Sequence, residues 1–277
     1  MTGGRMNDQQ QAAPSVSDLL TRIRRLERRT LRDATNSCWI EGVRNFVQAF
    51  DAGISFECVV VSPILLKSPL ADMLVRRLRA KEIDRIRVTP EQFRSVSSAE
   101  RASGIGAIVR QHWTSIEHAQ AARGLCWIVI EQIRNPGNLG TILRTCEATG
   151  VSGVIVVGSQ CDPFDPITVR GSMGGIFHLP LVRLAHDRFE VWVRTNGIEL
   201  VGLSPSADRL WTDLPCSSKL GLVLGEERSG LSERLQALCR TTVRLPMAGR
   251  ADSLNVGVAA GVMMYELVRR TTADCSC

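Results

Sequence analysis

The chain has 277 residues, room for one large domain or two ordinary ones and for a sizeable buried core. Charged residues make up 22% and hydrophobic ones 44%, the balance of a soluble globular protein rather than of a disordered chain. The net charge of +6 suits a nucleic-acid partner, and no apolar run approaches the ~18 residues of a membrane span.

Met1 to Pro14 is polar and lacks the apolar core of a signal peptide. It reads as a disordered leader, and a cytoplasmic location is expected. Nine cysteines are scattered, none forms a C-x-x-C pair, and Cys275 and Cys277 are too close for a zinc knuckle. Free thiols are expected, with no disulfide framework and no metal site.

From Ser17-Asp18 a helical pattern runs to about Asp33–Asn36, with Leu19, Leu20, Ile23, Leu26 and Thr30 on one face. Six arginines crowd its other face between Arg22 and Arg32, more than solvation of a helix requires. Trp39 to Gly42 reads as a short strand or turn. Val43, Phe46, Val47 and Phe50 continue as a helix up to Gly53, a helix stop. Strands follow at Phe56 to Val61, Ile86 to Val88 and Ile105 to Val109. Helices are expected at Leu70 to Ala80 and, with proline in the first turn, at Pro90 to Val96. A second basic cluster spans Arg76 to Arg87. This is an α/β unit over residues 15–112, followed by a linker over 113–124 that is helical, if anywhere, at Ser115 to Ala122.

The second domain, residues 125–277, opens with a buried strand at Leu125 to Ile130. The strand runs into Asn135-Pro136-Gly137-Asn138-Leu139-Gly140 and then a helix carrying Arg144. Asn138 is the expected N-cap, and a helix N-terminus at the carboxyl end of a strand is an anion site. Neither the G-x-G-x-x-G nor the G-x-x-x-x-G-K fingerprint is present. Strands follow at Gly153 to Gly158, Phe177 to Val182, Glu199 to Leu203, Leu220 to Leu224 and Thr241 to Leu245. Helices are expected at Pro166 to Gly171, Arg188 to Asn196 and Leu231 to Leu238. His178 reads as a polar residue at a strand end. Pro246 stops the last strand, Asp252 or Ser253 caps the final helix, and small residues fill that helix from Val256 to Gly261. Alternating strands and helices predict a mostly parallel sheet covered on both faces, with ligands beyond the carboxyl ends of its strands. Three stretches lie there: Asn135 to Arg144, Gly225 to Leu231, and Leu245 to Asn255.

Together these stretches resemble the SpoU/TrmH branch of the SPOUT RNA 2′-O-methyltransferases. The first carries N-P-x-N-x-G-x-x-x-R as Asn135, Pro136, Asn138, Gly140 and Arg144. The second carries G-x-E-x-x-G-L as Gly225, Glu227, Gly230 and Leu231. The third carries P-M-x-G and S-L-N-V-x-V-A-A-G from Pro246 to Gly261. The resemblance covers about Leu125 to Arg270. A weaker one links Trp39 to Phe50 with that family's RNA-binding N-terminal domain. The chain departs from the family pattern at Glu226, often Asn or Ser, at Arg228, often small, and at Gly257, often Ser.

The resemblance implies a C-terminal α/β trefoil-knot domain preceded by a small α/β RNA-binding domain. It implies S-adenosylmethionine as cofactor and a homodimer with a shared active site. By family, the catalytic set is Arg144, Asn135, Glu227 and Asn255. The expected cofactor pocket is Leu203, Ser204, Gly225, Leu245, Met247, Ser253 and Leu254. Guanidinium stays protonated in proteins, so Arg144 reads as a phosphate and transition-state clamp, with Asn135 and Asn255 positioning it and the ribose. The proton acceptor stays open among Glu227, Ser253 and the substrate phosphate. Arg22, Arg25, Arg29, Arg44 and Arg144 are the expected RNA contacts, positioning phosphates without reading sequence. The expected reaction is methylation of a ribose 2′-hydroxyl, in ribosomal RNA sooner than transfer RNA, with antibiotic resistance one role known in the family. The alternative is a non-catalytic RNA-binding or ribosome-assembly protein on the same fold.

Overall fold

In the computed structural model, residues 15–79, 83–119, 124–214, 217 and 219–274 are described. The leader, part of the linker and the thiols of Cys216, Cys275 and Cys277 lie outside them. The first half is α1 (Val16–Arg25), α2 (Arg29–Thr35), β1 (Ser37–Glu41), α3 (Val43–Asp51), β2 (Phe56–Val61), α4 (Pro69–Arg79), β3 (Asp84–Arg87), α5 (Pro90–Arg94) and β4 (Ile105–Arg110). Its four strands form a mixed sheet in the order β1-β4-β2-β3, with only β2 and β3 parallel. The β2 residues alternate: Cys58 and Val60 pack with α1 and α5, Val59 and Val61 with α3 and α4.

The second half is β5 (Trp127–Ile130), α6 (Pro136–Thr149), β6 (Gly153–Val157), α7 (Pro166–Gly171), β7 (Leu181–Leu184), α8 (His186–Asn196), β8 (Glu199–Leu203), β9 (Arg209–Leu210), β10 (Leu220–Leu224), α9 (Glu233–Leu238), β11 (Thr241–Arg244) and α10 (Val256–Asp274). Seven strands run β7-β6-β5-β10-β8-β11-β9, and every pairing among the described residues is parallel. Ile128 and Ile130 of β5 face one core cluster, Trp127 and Val129 the other, so the strand is apolar throughout because both faces are covered. The strand order reverses between β5 and β10, which opens a crevice at their carboxyl ends.

Several sequence expectations are corrected here. The single helix expected from Ser17 breaks at Leu26–Arg28, where Arg28 is extended at φ −84°, ψ 123°. Arg32 explains the break. Its guanidinium is 1% exposed and donates to the carbonyls of Leu26 and Glu27 at 2.6 and 2.7 Å, satisfying acceptors the helix has released. The strand expected at Phe177 to Val182 is a 3-10 turn over Gly175–Phe177, with β7 starting only at Leu181. Gly174, at φ +91°, turns the chain there, and Pro180 delays the strand. Of the linker stretch expected to be helical, Ser115 to Ala122, the described part holds a 3-10 turn over Ile116–His118, and residues 120–122 lie outside the described residues. No helix among the described residues is long and apolar enough to cross a membrane.

The two halves are joined by polar contacts from the first domain's helices. Arg32 pairs with Asp162, Arg29 donates to the Ser159 carbonyl at 2.6 Å, and Arg44 donates to that of Met173 at 3.1 Å. In return Arg170 donates to the Ser98 carbonyl at 2.5 Å, and the His178 imidazole meets Gln48 Oε1 at 2.8 Å. His178 is therefore part of the interdomain joint, not the end of a strand.

Candidate active site

The polar centre of the site is built by two helix caps. Asn135, not Asn138, caps α6: its Oδ1 accepts from the amides of Gly137 and Asn138 at 2.8 and 3.3 Å. Pro136 follows at the first helical position, where its missing N–H costs nothing. At α10 the cap is Asn255 rather than Asp252 or Ser253; its Oδ1 accepts from Gly257 and Val258 at 2.9 and 3.3 Å. Gly257 sits close to Thr141 of α6, and a Cβ there would lie 3.3 Å from the Thr141 methyl, so the two helix starts are pressed together.

That proximity leaves Asn138 free to bridge all three motifs. Its amide donates to Glu227 Oε1 at 2.9 Å, and its Oδ1 accepts from the Asn255 amide at 2.9 Å. Both partners arrive from more than eighty residues away. Asn138 was legible only as a capping residue because these partners are long-range.

Beside this bridge lies a cavity of about 280 Å³. It is lined by Leu203, Ser204, Gly225, Leu245, Met247, Ser253 and Leu254, the full set expected for the cofactor, together with Glu226, Glu227, Val256 and Ala259. Leu203, Gly225 and Leu245 lie at or just beyond the carboxyl ends of β8, β10 and β11. Apolar walls with a few convergent polar groups suit a nucleoside ligand. From Leu245 to Leu254 the backbone makes no hydrogen bond among the described residues, so its donors and acceptors are free for a ligand. The pocket therefore fits a cofactor with an apolar face and polar edges.

Glu226 is buried beside Glu227. Hydrogen bonds from the Ser229 hydroxyl and amide hold its carboxyl well below the usual range, down to about 2, against the opposing effect of burial. Its importance was missed in the sequence, where it counted only as a departure from the family pattern.

Arg144 does not join the bridge. It lies six residues beyond Asn138 on α6, about 9 Å along the axis. It is exposed and makes no ion pair or hydrogen bond among the described residues, so it is not tied to Glu147 either. Neither Asn135 nor Asn255 hydrogen-bonds to it. Of the other expected RNA contacts, Arg25 is exposed and unpaired among the described residues. Arg22 pairs with Glu57, Arg29 with Asp33, and Arg44 donates to the Met173 carbonyl. The described cysteines are free, and burial pushes the thiols of Cys38, Cys126 and Cys239 up to about 12 and that of Cys161 to about 11, which removes them as nucleophiles.

A parallel sheet with its pocket loops gathered at the carboxyl ends of β8, β10 and β11 defines an α/β protein that takes its ligand at the carboxyl edge of the sheet. The chain belongs to the SpoU rRNA methylase family, whose model matches residues 126–265. Residues 19–107 match an MRM3-like substrate binding domain. A 23S rRNA (uridine(2479)-2′-O)-methyltransferase of Streptomyces viridochromogenes is 30% identical over 88% of this chain and 87% of its own. The 23S rRNA (guanosine(2553)-2′-O)-methyltransferase RlmP of Bacillus subtilis is 27% identical over 88% of this chain and 93% of its own. Among solved structures, an AdoMet-bound rRNA methyltransferase from Sinorhizobium meliloti superimposes with a TM-score of 0.84 at 29% identity, covering 94% of this chain and 97% of that one.

Proposed function

We propose that this protein methylates a ribose 2′-hydroxyl of ribosomal RNA in the cytoplasm, with S-adenosylmethionine held in the pocket between Leu203, Gly225, Leu245 and Leu254. The observation that carries this reading is the Asn138 bridge, which holds Glu227, a residue of the pocket's lining. S-adenosylmethionine, when bound, supplies an electrophilic methyl group. The chain's own residues must then hold the ribose, accept its proton and fix the adjoining phosphate.

Glu227 is the proton acceptor. Asn138 anchors its Oε1, and Oε2 has no partner among the described residues. A side chain fixed at one oxygen and open at the other can accept a proton without swinging away. Arg144 stays cationic and clamps the phosphate. Residues 15–112 form the RNA-recognition domain, and the polar joint described above fixes its orientation to the catalytic half. Among the described residues, Arg25 and Arg28 on the helical side and Arg77 and Arg87 of the second basic cluster are exposed and without a side-chain partner, and these cations are open to phosphates.

The working unit is a homodimer. Leu254, Val258, Val262 and Tyr265 are exposed at helical spacing along the start and outer face of α10. Such an apolar stripe beside the pocket fits a second copy, and Arg144 standing apart from its own chain's bridge fits a site completed by two chains. Through the pocket, the loop from Leu245 to Leu254 is read as the threaded segment of a trefoil knot.

The test is transfer of labelled methyl from S-adenosylmethionine to bulk ribosomal and transfer RNA, with digestion to locate 2′-O-methyl nucleotides. Label in ribosomal RNA, lost in Arg144→Ala, supports the reading. Label in transfer RNA alone contradicts the substrate assignment, and none in either RNA contradicts the activity.

A further inference from the structure

The Glu226 side chain is 4% exposed and has no part in the chemistry assigned above. Burying a carboxylate is costly, so its partners must offset that cost. One oxygen accepts from the Ser229 amide and hydroxyl, each at 2.6 Å, and from the Arg228 amide at 3.1 Å. The other faces Arg134 Nε at 3.3 Å, just ahead of α6.

The main chain closes the same turn. Glu226 N donates to the Gly230 carbonyl at 2.8 Å, and Gly230 N donates back at 3.0 Å. Gly230 takes φ +72°, a conformation that favours glycine. At Gly225 a Cβ would lie 2.4 Å from the Gly230 carbonyl carbon, so no side chain fits. Residues 225–230 thus form one rigid turn, and all six line the pocket. Glu227, inside that turn, is the residue that meets Asn138.

We propose that Glu226 is a positioning residue for methyl transfer: by holding the 226–230 turn shut and tying it to Arg134, it shapes one wall of the cofactor pocket and aims Glu227 at Asn138. This rests on the pocket being the S-adenosylmethionine site. Hydrogen bonds from Ser229 hold the Glu226 carboxyl down to about 2, so at neutral pH it is ionised and accepts at both oxygens.

The experiment compares Glu226→Ala, Glu226→Gln and Ser229→Ala in the full chain, by calorimetry with S-adenosylmethionine, steady-state kinetics on ribosomal RNA, and thermal melting. Glu226→Ala is expected to raise the cofactor Kd about tenfold and to lower kcat by a similar factor, with the KM for RNA within about twofold of wild type. Glutamine keeps an acceptor oxygen for the three donors, so Glu226→Gln is expected to bring Kd back to within about threefold of wild type. Ser229→Ala removes one of these bonds and is expected to raise Kd about threefold in a chain that still folds, with a small fall in Tm. A folded Glu226→Ala with wild-type Kd and kcat overturns the proposal, as does Glu226→Gln as damaged as the alanine variant. Should Glu226→Ala fail to fold, Ser229→Ala decides: raised Kd in a folded chain supports the proposal and unchanged Kd contradicts it. Wild type that does not bind the cofactor overturns the functional reading along with this one, whereas active wild type with unaffected variants overturns this one alone.

Discussion

The side-chain amide of Asn255 donates a 2.9 Å hydrogen bond to Oδ1 of Asn138, joining the start of the last helix to the start of the helix after the first strand of the parallel sheet. The same Asn138 holds Glu227, so the position of the proposed proton acceptor depends on two helix starts and one turn at once.

Removing the bridge should therefore cost rate more than stability. Asn138→Ala is expected to lower kcat by about tenfold to a hundredfold, the worth of a hydrogen bond to a charged group. Asn138→Asp sets a second carboxylate against Glu227 and is expected to be slower still at neutral pH, because like charges at that distance cannot both ionise without penalty. Single-turnover methyl transfer on ribosomal RNA measures both. An alanine variant slower than the aspartate variant would contradict the electrostatic argument.

Asn135 makes the opposite forecast. Its carboxamide caps α6 and does not touch Glu227 or Arg144, so Asn135→Ala should destabilise the protein by about 1 kcal/mol. Denaturant unfolding measures the loss, and Asn135→Ser should recover most of it.

The interdomain joint should be most sensitive at its buried member. Asp162→Asn strips the counter-charge from Arg32, which is 1% exposed, and is expected to destabilise the protein by about 3–5 kcal/mol. Arg32→Met leaves Asp162, whose side chain is 18% exposed, nearer to water and should cost less. Equilibrium unfolding of both variants orders them.

Acid should act through Glu226 and Glu266. Both carboxyls are held down to about 2, the first by hydrogen bonds from Ser229, the second by hydrogen bonds from Arg269 and Arg270. A folded-state value below the unfolded one means the unfolded chain binds protons first as pH falls. The stability these groups contribute is thus complete above about pH 4.5 and is lost between there and about pH 2. Glu266→Gln should lower stability at neutral pH and flatten that acid limb, which urea titrations across pH would show.

The sequence carried the pocket further than the surface. The pocket residues were expected from the resemblance carried by the three motifs, and all of them line one cavity because those stretches follow the carboxyl ends of β8, β10 and β11. The caps were misassigned by a few residues because Asn135 and Asn138, or Ser253 and Asn255, are equally good caps, and only packing between α6 and α10 chooses. The arginines were less legible. Six crowd one helical stretch, and the sequence does not show that Arg22 pairs with Glu57 and Arg32 with Asp162, partners that no local pattern reveals.

The most direct test is calorimetric titration of S-adenosylmethionine into wild type and Leu254→Arg. Leu254 is 42% exposed and lines the pocket, so the variant should fold and fill the site with its own side chain. The account predicts that wild type binds and that Leu254→Arg, still folded, does not. Equal binding by both, or none by wild type, would contradict the assignment of this pocket and of the chemistry built around it.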